Sequence, residues 1–307
     1  MNIRLSSPSL TPQLQRPLNQ ENTQQSASTS FDSVAPGQSN YRSEVSEREL
    51  RNLFHPRQVE QGQQAQQGQE IASQFPNRDG YDSNFLGRPL SLPKLGPSIQ
   101  DKAAPLIGRP NETELKYTNF SIVMNKERRQ AFYSAVNIDG AKLEDRPRNG
   151  KWTIDSRIAR EHQLGGEAYS NNPIDRGHMV RRRDAIWGPK ADQANHDTFA
   201  YTNAGLQHGN LNQKTWLDLE NTIFEQAMAK GLKLTVLTGP VFSESDPVFD
   251  NRGRVSPKTK IPQEFWKVVV WNDPQEGLKG SAFIQSQKDY VGGRISPSSF
   301  APGAMGV

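Results

Sequence analysis

The chain has 307 residues, no cysteine and a formal net charge of +4 at neutral pH. This length can accommodate two average domains, or one domain preceded by a long tail. The absence of cysteine excludes disulfides, thiolate metal ligands and cysteine nucleophiles, so any bound metal must be held by oxygen or imidazole nitrogen. No apolar run approaches the roughly 18 residues that a membrane-spanning helix needs.

The first third of the chain is rich in Gln, Ser and Asn and poor in large apolar residues, most clearly over residues 20–33 and 58–70. Such segments bury too little apolar area to offset the entropy of ordering, so residues 1–105 are expected to be a largely disordered tail. Within it, residues 43–54 have a roughly helical apolar period. The Pro-rich residues 86–100 are expected to be a linker or an extended segment lying on the folded domain.

The pattern changes at about residue 106, where short apolar runs alternate with turns, and residues 106–307 are expected to form the folded domain. Residues 118–140 predict two strands joined by a basic turn. Three further β-rich runs are bounded by turn residues, at 233–243, 265–273 and 281–287. The excess positive charge also lies in this part, which suits an anionic partner without proving one.

One long helical period follows at residues 215–231, which end at a glycine. Its apolar residues are expected to form one buried face: Trp216, Leu219, Ile223, Ala227 and Met228. Combined with the strands, this helix predicts the α+β class, with a mixed sheet core and packed helices.

The string DRGH at residues 175–178 raises the question of chemistry. A lone histidine is more often an ordinary core or surface residue, and a four-residue match alone is weak. A second polar set occurs in TNAGLQHGNLNQKTWLDLE at 202–220. There Asn212 precedes the predicted helix, and Glu220 lies eight residues on, a little over two turns along the same side.

These motifs, in this order, resemble the DNA/RNA non-specific endonuclease family. The resemblance rests on DRGH at 175–178, TN at 202–203, LNQ at 211–213, W at 216 and LE at 219–220. It extends through LTGPVFSESDP, IPQEFWKVVVW and SAFIQSQ, and covers roughly residues 115–290. It implies a ββα-metal fold, in which a β-hairpin carrying the histidine packs beside a helix that supplies metal-site residues.

The resemblance implies a metal-dependent endonuclease that hydrolyses DNA and/or RNA phosphodiester bonds with little sequence preference. His178 would be the general base, because a neutral imidazole can accept a proton from water. Asn212 would be the single direct protein ligand of Mg²⁺, with Mn²⁺ left open; Mg²⁺ retains several waters, so one amide oxygen can suffice. Glu220 would orient metal-bound water, and Asn203 would help to place the metal-site loop or the substrate.

The remaining candidate residues would hold the fold of the site or contact the substrate. Arg176 belongs to the motif, where it would pair within the fold or contact phosphate, and Arg157 resembles the family's upstream phosphate-contacting arginine. Asp175 would orient an arginine or the hairpin, and Gly177 would permit close backbone approach. General substrate contacts are expected from Arg181, Arg182, Arg183 and Gln207. One departure is Phe224, which stands where some family members have an arginine.

Two alternatives remain open. The chain could be a nuclease-fold module that has lost catalysis and binds nucleic acid or protein, or an interaction protein that acts through its Gln-rich N-terminus. DNA and/or RNA is the expected partner, and a homodimer, a secretion chaperone and an inhibitor protein are further candidates.

The expected location follows from the hazard that a non-specific nuclease poses to its own cell. The first twenty residues lack the apolar core of a secretory signal, and no acidic residue precedes Glu21. This start resembles the secretion signals of type III effectors, so leaderless export into a host cell is expected. A mitochondrial or cytoplasmic location is the alternative.

Overall fold

A seven-stranded antiparallel sheet, in the order β1-β11-β10-β7-β4-β3-β2, dominates the computed structural model, which describes residues 41–45 (backbone only), 75–148 and 150–292. Two-stranded sheets β5-β6 and β8-β9 accompany it. The strands are β1 (Tyr41–Val45), β2 (Glu114–Tyr117), β3 (Phe120–Asn125), β4 (Gln130–Asp139), β5 (Ile174–His178), β6 (Ala204–His208), β7 (Lys233–Val241), β8 (Val248–Phe249), β9 (Thr259–Lys260), β10 (Glu264–Asp273) and β11 (Gly277–Ser286).

The helices of the described residues are mostly short. They are α1 (Arg182–Ala185), α2 (Ala191–Asp197), α3 (Trp216–Lys230) and α4 (Lys288–Val291), and a π-helical turn (Leu211–Thr215) leads directly into α3. Short 3₁₀ turns occur at Gln100–Lys102, Arg160–His162, Gly166–Ala168 and Tyr201–Asn203. The predicted α+β class, with a sheet core and packed helices, is confirmed.

Helix α3 forms where the apolar period predicts it. Trp216, Leu219, Ile223 and Ala227 are buried against one face of the large sheet. The helix ends at Gly231, whose left-handed backbone allows its N–H to bond the carbonyls of the last turn. Met228, predicted for the buried face, is instead 51% exposed, and Phe224 is buried in the helix.

The opposite face of the sheet is covered by an N-terminal arm, residues 75–95. Tyr81, Leu86 and Leu90 of this arm are buried in one cluster with side chains of β4, β7 and β10. The expected boundary at residue 105 therefore differs from the structure, in which the folded body already includes residues 75–105. Composition sets this boundary too late because the few apolar side chains of the arm are separated by polar residues. For residues 86–95 the structure agrees with the expected alternative of an extended segment that lies on the folded domain.

The remaining N-terminal predictions lie largely outside the described residues. Of the helical period at 43–54, only residues 43–45 are described, and they belong to β1. The predictions of export or targeting concern residues 1–40, which the structure does not describe. Within the described ranges, no helix is long and apolar enough to cross a bilayer.

Candidate active site

His178 is the last residue of β5, and its register partner on β6 is Ala204. Because side chains alternate along a strand, Arg176 and His178 share one face of this small sheet, and Asp175 and Gly177 share the other. The imidazole lies in an aromatic wall, with ring centroids 4.9 Å from Trp152 and 5.8 Å from Phe199. This wall holds the ring in place without using its nitrogens.

The environment of His178 keeps the imidazole neutral. Burial lowers the pKa of His178 to about 3, and the positive charges of Arg148 and Arg182 act in the same direction. Its Nε2 is buried and has no hydrogen-bond partner among the described residues. An unpartnered nitrogen on a neutral ring is suited to proton transfer with a bound reactant.

Asn203 fixes the turn that follows His178. Its Oδ1 accepts from the Val180 N–H at 2.8 Å, and its Nδ2 donates to the carbonyls of Val180 and Thr198, each at 3.0 Å. The side chain is fully buried, with both amide groups bound to backbone. These contacts agree with the expected role of Asn203 in placing the loop, and they occupy both groups of its amide.

Asn212 lies in the π-helical turn and is oriented by Asp175. The Nδ2 of Asn212 donates to Asp175 Oδ2 at 2.9 Å, and Gln213 Nε2 donates to the same oxygen at 2.8 Å. Asp175 thus orients amides, whereas an arginine or the hairpin had been expected, because the π-helical turn brings both amides to β5. Asn212 Oδ1 accepts no hydrogen bond from the described residues, and an amide oxygen is a ligand atom of the kind that Mg²⁺ prefers.

Glu220, two turns into the helical segment, lies in a buried charged cluster. Its Oε2 is 3.9 Å from Arg181 Nε, and its Oε1 is 3.6 Å from Lys267 Nζ. Burial raises the pKa of Glu220, whereas the cations of Lys267 and Arg181 oppose that shift. Asp184 faces the same cluster, where burial raises its pKa to about 7.

The three consecutive arginines are not equivalent. Arg181 is buried, donates to the Glu220 carbonyl and the Asn221 side chain, and is therefore unavailable to substrate. Arg182 donates to the Arg146 carbonyl at 2.8 Å and to Asn195 at 3.1 Å. Arg183 lies over the Phe224 ring, 4.2 Å from its centroid, and makes no hydrogen bond or ion pair to a described residue.

The described contacts thus include a neutral histidine at the end of β5, the amide of Asn212 bonded to β5 through Asp175, and a buried carboxylate on α3. A family model described as DNA/RNA non-specific endonuclease matches residues 104–301. The chain belongs to this family.

Two known proteins are similar to this chain. The uncharacterized protein y4fB of Sinorhizobium fredii (strain NBRC 101917 / NGR234) is 38% identical over 235 residues, which is 72% of this chain. The chain spans about a third of that protein's length, 34%. A crystal structure of the EndoG/EndoGI complex matches with a TM-score of 0.49 and 16% identity, over 62% of this chain and 78% of that chain.

Two residues expected at the endonuclease site lie elsewhere. Arg157 is bound to Asp155 at 2.6 Å and to the Lys116 carbonyl at 2.6 Å, and its guanidinium lies beside the rings of Phe75 and Tyr117. These contacts occupy the Arg157 guanidinium, so it is not free to bind phosphate. The sequence spacing between Arg157 and DRGH carries no information on the pairing with Asp155.

Gln207, expected to contact substrate, is fully buried instead, because its side chain packs across Gly177. A Cβ at Gly177 would lie 1.9 Å from Gln207 Oε1, so glycine is required there by the neighbouring strand. His208, on the same strand as Gln207, stacks on Tyr290 at 5.2 Å, and its Nδ1 accepts from the Asn210 N–H.

Two arginines lie near His178 or on its face of β5. Arg176 lies among three aromatic rings, with its guanidinium 5.4 Å from Tyr169 and 5.8 Å from both Trp152 and Tyr201. Sequence reasoning missed Arg148, which is exposed, lies 5.5 Å from the Phe199 ring and forms no ion pair within the described ranges. Nothing local distinguishes Arg148 in sequence from the other basic residues.

The donor set of the site fits a hard, strongly hydrated cation. Among the residues that the structure describes, no three His, Cys, Asp or Glu side chains cluster as metal ligands. Asn212 Oδ1 is an oxygen with no hydrogen-bond donor in the described part of the chain, and its amide nitrogen is held by Asp175. One such oxygen suits Mg²⁺, which keeps most of its water ligands.

Proposed function

We propose that the protein is a metal-dependent endonuclease that hydrolyses phosphodiester bonds of DNA and/or RNA with little sequence preference. The observation that carries the proposal is the neutral His178 with its buried, unpartnered Nε2, at the end of a strand whose Asp175 orients Asn212. Family membership supports the same reaction class.

In this mechanism His178 accepts the proton of the water that attacks phosphorus. Because the ring is already neutral, it needs no prior deprotonation at cellular pH. Arg148 and Arg176 bind the phosphate through charge, since neither is bound to a carboxylate in the described part of the chain. Asn203 holds the backbone after His178, so that Nε2 keeps its direction towards the phosphate.

Mg²⁺, or Mn²⁺, would be held by Asn212 Oδ1, with Glu220 orienting its water ligands. When bound, the ion would supply charge stabilisation at the non-bridging and leaving oxygens. The chain's own contribution is to present one oriented amide oxygen and one buried carboxylate close to the histidine strand.

The test is cleavage of plasmid DNA and of RNA by wild type and His178→Ala, each with Mg²⁺ and with EDTA. We expect degradation by wild type with Mg²⁺ only. His208→Ala is the matched control, because this histidine is stacked on Tyr290 and should be dispensable. Asn212→Ala should reduce activity in a way that excess Mg²⁺ partly restores.

Inactivity of a folded wild type with every metal would overturn this proposal. Retained nucleic-acid binding by the same inactive protein would favour the alternative hypothesis, a nuclease fold that has lost catalysis.

A further inference from the structure

Lys267 is a charged residue on the apolar side of a central strand. It lies on β10, between β7 and β11, and is only 1% exposed. Strand alternation places it with Phe265, Val269 and Trp271, on the face that α3 covers. An ammonium group at such a position is unfavourable unless it has close partners.

The partners of Lys267 connect the sheet to α3. Its Nζ donates to Thr238 Oγ1 on β7 at 2.9 Å, lies 3.6 Å from Glu220 Oε1, and is 4.8 Å from the centroid of the Trp216 ring. Arg181 approaches the other carboxylate oxygen. Each oxygen of Glu220 therefore faces its own cation.

The remaining charged groups of this buried cluster come from α1. Asp184 faces Lys267, Arg181 and Glu220, and Arg183 acts on Asp184 from the same helix. Burial lowers the pKa of Lys267, whereas Glu220 and Asp184 oppose that shift. Lys267 and Arg181 thus act on both carboxylates. A substitution of Lys267 could therefore act through Asp184 or through Glu220, and the experiment must distinguish the two.

Stability alone does not explain a lysine here. A well-packed apolar side chain at a buried ion-pair position is often as stabilising as the pair it replaces. The lysine does supply what an apolar residue cannot, a cation next to a carboxylate that burial would otherwise neutralise.

We propose that Lys267 is a positioning residue of the nuclease site, which holds Glu220 ionised and oriented without itself touching substrate. The proposal rests on the proposed function, because Glu220 acts there as the acceptor for water in the metal site. Lys267 acts through Glu220. It approaches one carboxylate oxygen from the sheet, and Arg181 approaches the other.

The first measurement is cleavage by Lys267→Met, with nucleic-acid binding measured separately in EDTA. We expect kcat to fall about 10- to 100-fold, the usual effect of removing a residue that supports a metal site. Binding in EDTA should stay within about 2-fold, because Lys267 is buried away from substrate, and Lys267→Arg should recover much of kcat. Lys267→Gln, which can still bond Thr238, is a second variant if Lys267→Met does not fold.

A second measurement needs no activity. In metal-free protein the free energy of unfolding is followed from pH 5 to pH 8. Without Lys267, Glu220 should bind a proton in the native state, so stability should fall with rising pH more steeply than in wild type. Each double variant is compared with its own single variant, because Asp184 with its raised pKa contributes a falling slope of its own. The extra slope caused by Lys267→Met should disappear in the Glu220→Gln background and persist in the Asp184→Asn background.

These outcomes separate the two proposals. An inactive wild type would overturn the proposed function, while the metal-free slopes would still test Lys267. Unchanged kcat in Lys267→Met, or an extra slope abolished by Asp184→Asn and not by Glu220→Gln, would overturn the role of Lys267.

Discussion

At the scale of single residues, the protonation of His178 depends on what is bound beside it. In the free protein, burial and two cations lower its pKa to about 3. A bound phosphate would partly cancel the charges of Arg148 and Arg182, and should therefore raise this pKa. The base would then be stronger in the complex than in the free protein.

The first prediction concerns pH. Because a base must be unprotonated, activity falls as pH drops below its pKa. The profile of kcat/KM, which reports the free protein, should have no acidic limb near 6.5, and the limb of kcat should lie at higher pH than that of kcat/KM. Initial rates at low and at saturating substrate measure both. Arg148→Gln should move the kcat/KM limb upward; a limb of kcat/KM near 6.5 in wild type would contradict the prediction.

The second prediction concerns Asp175. Asp175→Ala removes the acceptor that fixes the Asn212 amide, so Mg²⁺ affinity should fall about 10- to 100-fold. Calorimetric titration of Mg²⁺ checks this without turnover. Gln213→Ala is the matched control, because it removes the neighbouring bond to the same oxygen and leaves Asn212 in place. Equal Mg²⁺ affinities in all three proteins would rule out this orienting role.

Candidate site residues could be chosen from the sequence, but their partners could not. DRGH, Asn212 and Glu220 could be selected because motif order and helical spacing are local properties. The pairing of Asp175 with Asn212, the burial of Gln207 and the ion pair of Arg157 each depend on a distant segment. Lys267 left a signal that could have been used, since a lysine interrupts the apolar face of FWKVVVW.

At the scale of elements, α1 and α3 meet through arginines over an aromatic ring. Arg181 and Arg183 lie 5.2 Å and 4.2 Å from the centroid of Phe224, but only Arg183 lacks a polar partner among the described residues. Phe224 follows Glu220 by about one helical turn. The Phe224 ring therefore contacts a cation, Arg183, at the sequence position where some family members have an arginine.

The third prediction is that Arg183 supplies this charge. Arg183→Gln should weaken duplex binding and reduce the salt slope of log K by about 0.9, the value for one phosphate contact. Fluorescence anisotropy in EDTA at several salt concentrations measures this. Arg109→Gln is the control, since that arginine is exposed and paired with Glu112. Adding Phe224→Arg to Arg183→Gln should restore the slope; an unchanged slope in Arg183→Gln itself would refute the assignment.

The elements themselves were more predictable than their ends and contacts. Strands β3, β4, β7, β10 and β11 and helix α3 follow from alternation and helical period, which are local. The π-helical turn before α3 gives no such signal. Met228 was misplaced because a helical period defines a face, whereas the neighbouring elements decide how far burial extends around it.

At the scale of the whole molecule, one face of the sheet is covered by the arm. The arm lies outside the family match, which begins at residue 104. Arg78 of this arm donates to both oxygens of Asp197, at 2.8 Å and 2.9 Å, and Asp197 also accepts from Thr118. Composition could not reveal the arm, since these contacts are long-range.

The fourth prediction tests the arm. Arg78→Met should destabilise the protein by about 3–5 kcal/mol, the usual effect of leaving one buried charge unpaired. Urea unfolding measures the change. Lys190→Met is a matched control, because Lys190 pairs with Asp79, the residue that follows Arg78 in the arm. This ion pair is exposed and should contribute less than about 1 kcal/mol. Equal losses in both variants would show that the arm is not held by this pair.

The protein contains two kinds of charged group, the buried cluster of Arg181, Glu220 and Lys267 and the exposed cations near the site. Dissolved ions screen exposed charges over about 10 Å at 0.1 M, but they screen buried pairs far less. Rising ionic strength would therefore weaken the attraction of the polyanion to exposed cations such as Arg148, while leaving the internal charge pattern nearly unchanged. In the proposed function, salt would therefore act on the capture of a strand far more than on the charges that hold Glu220.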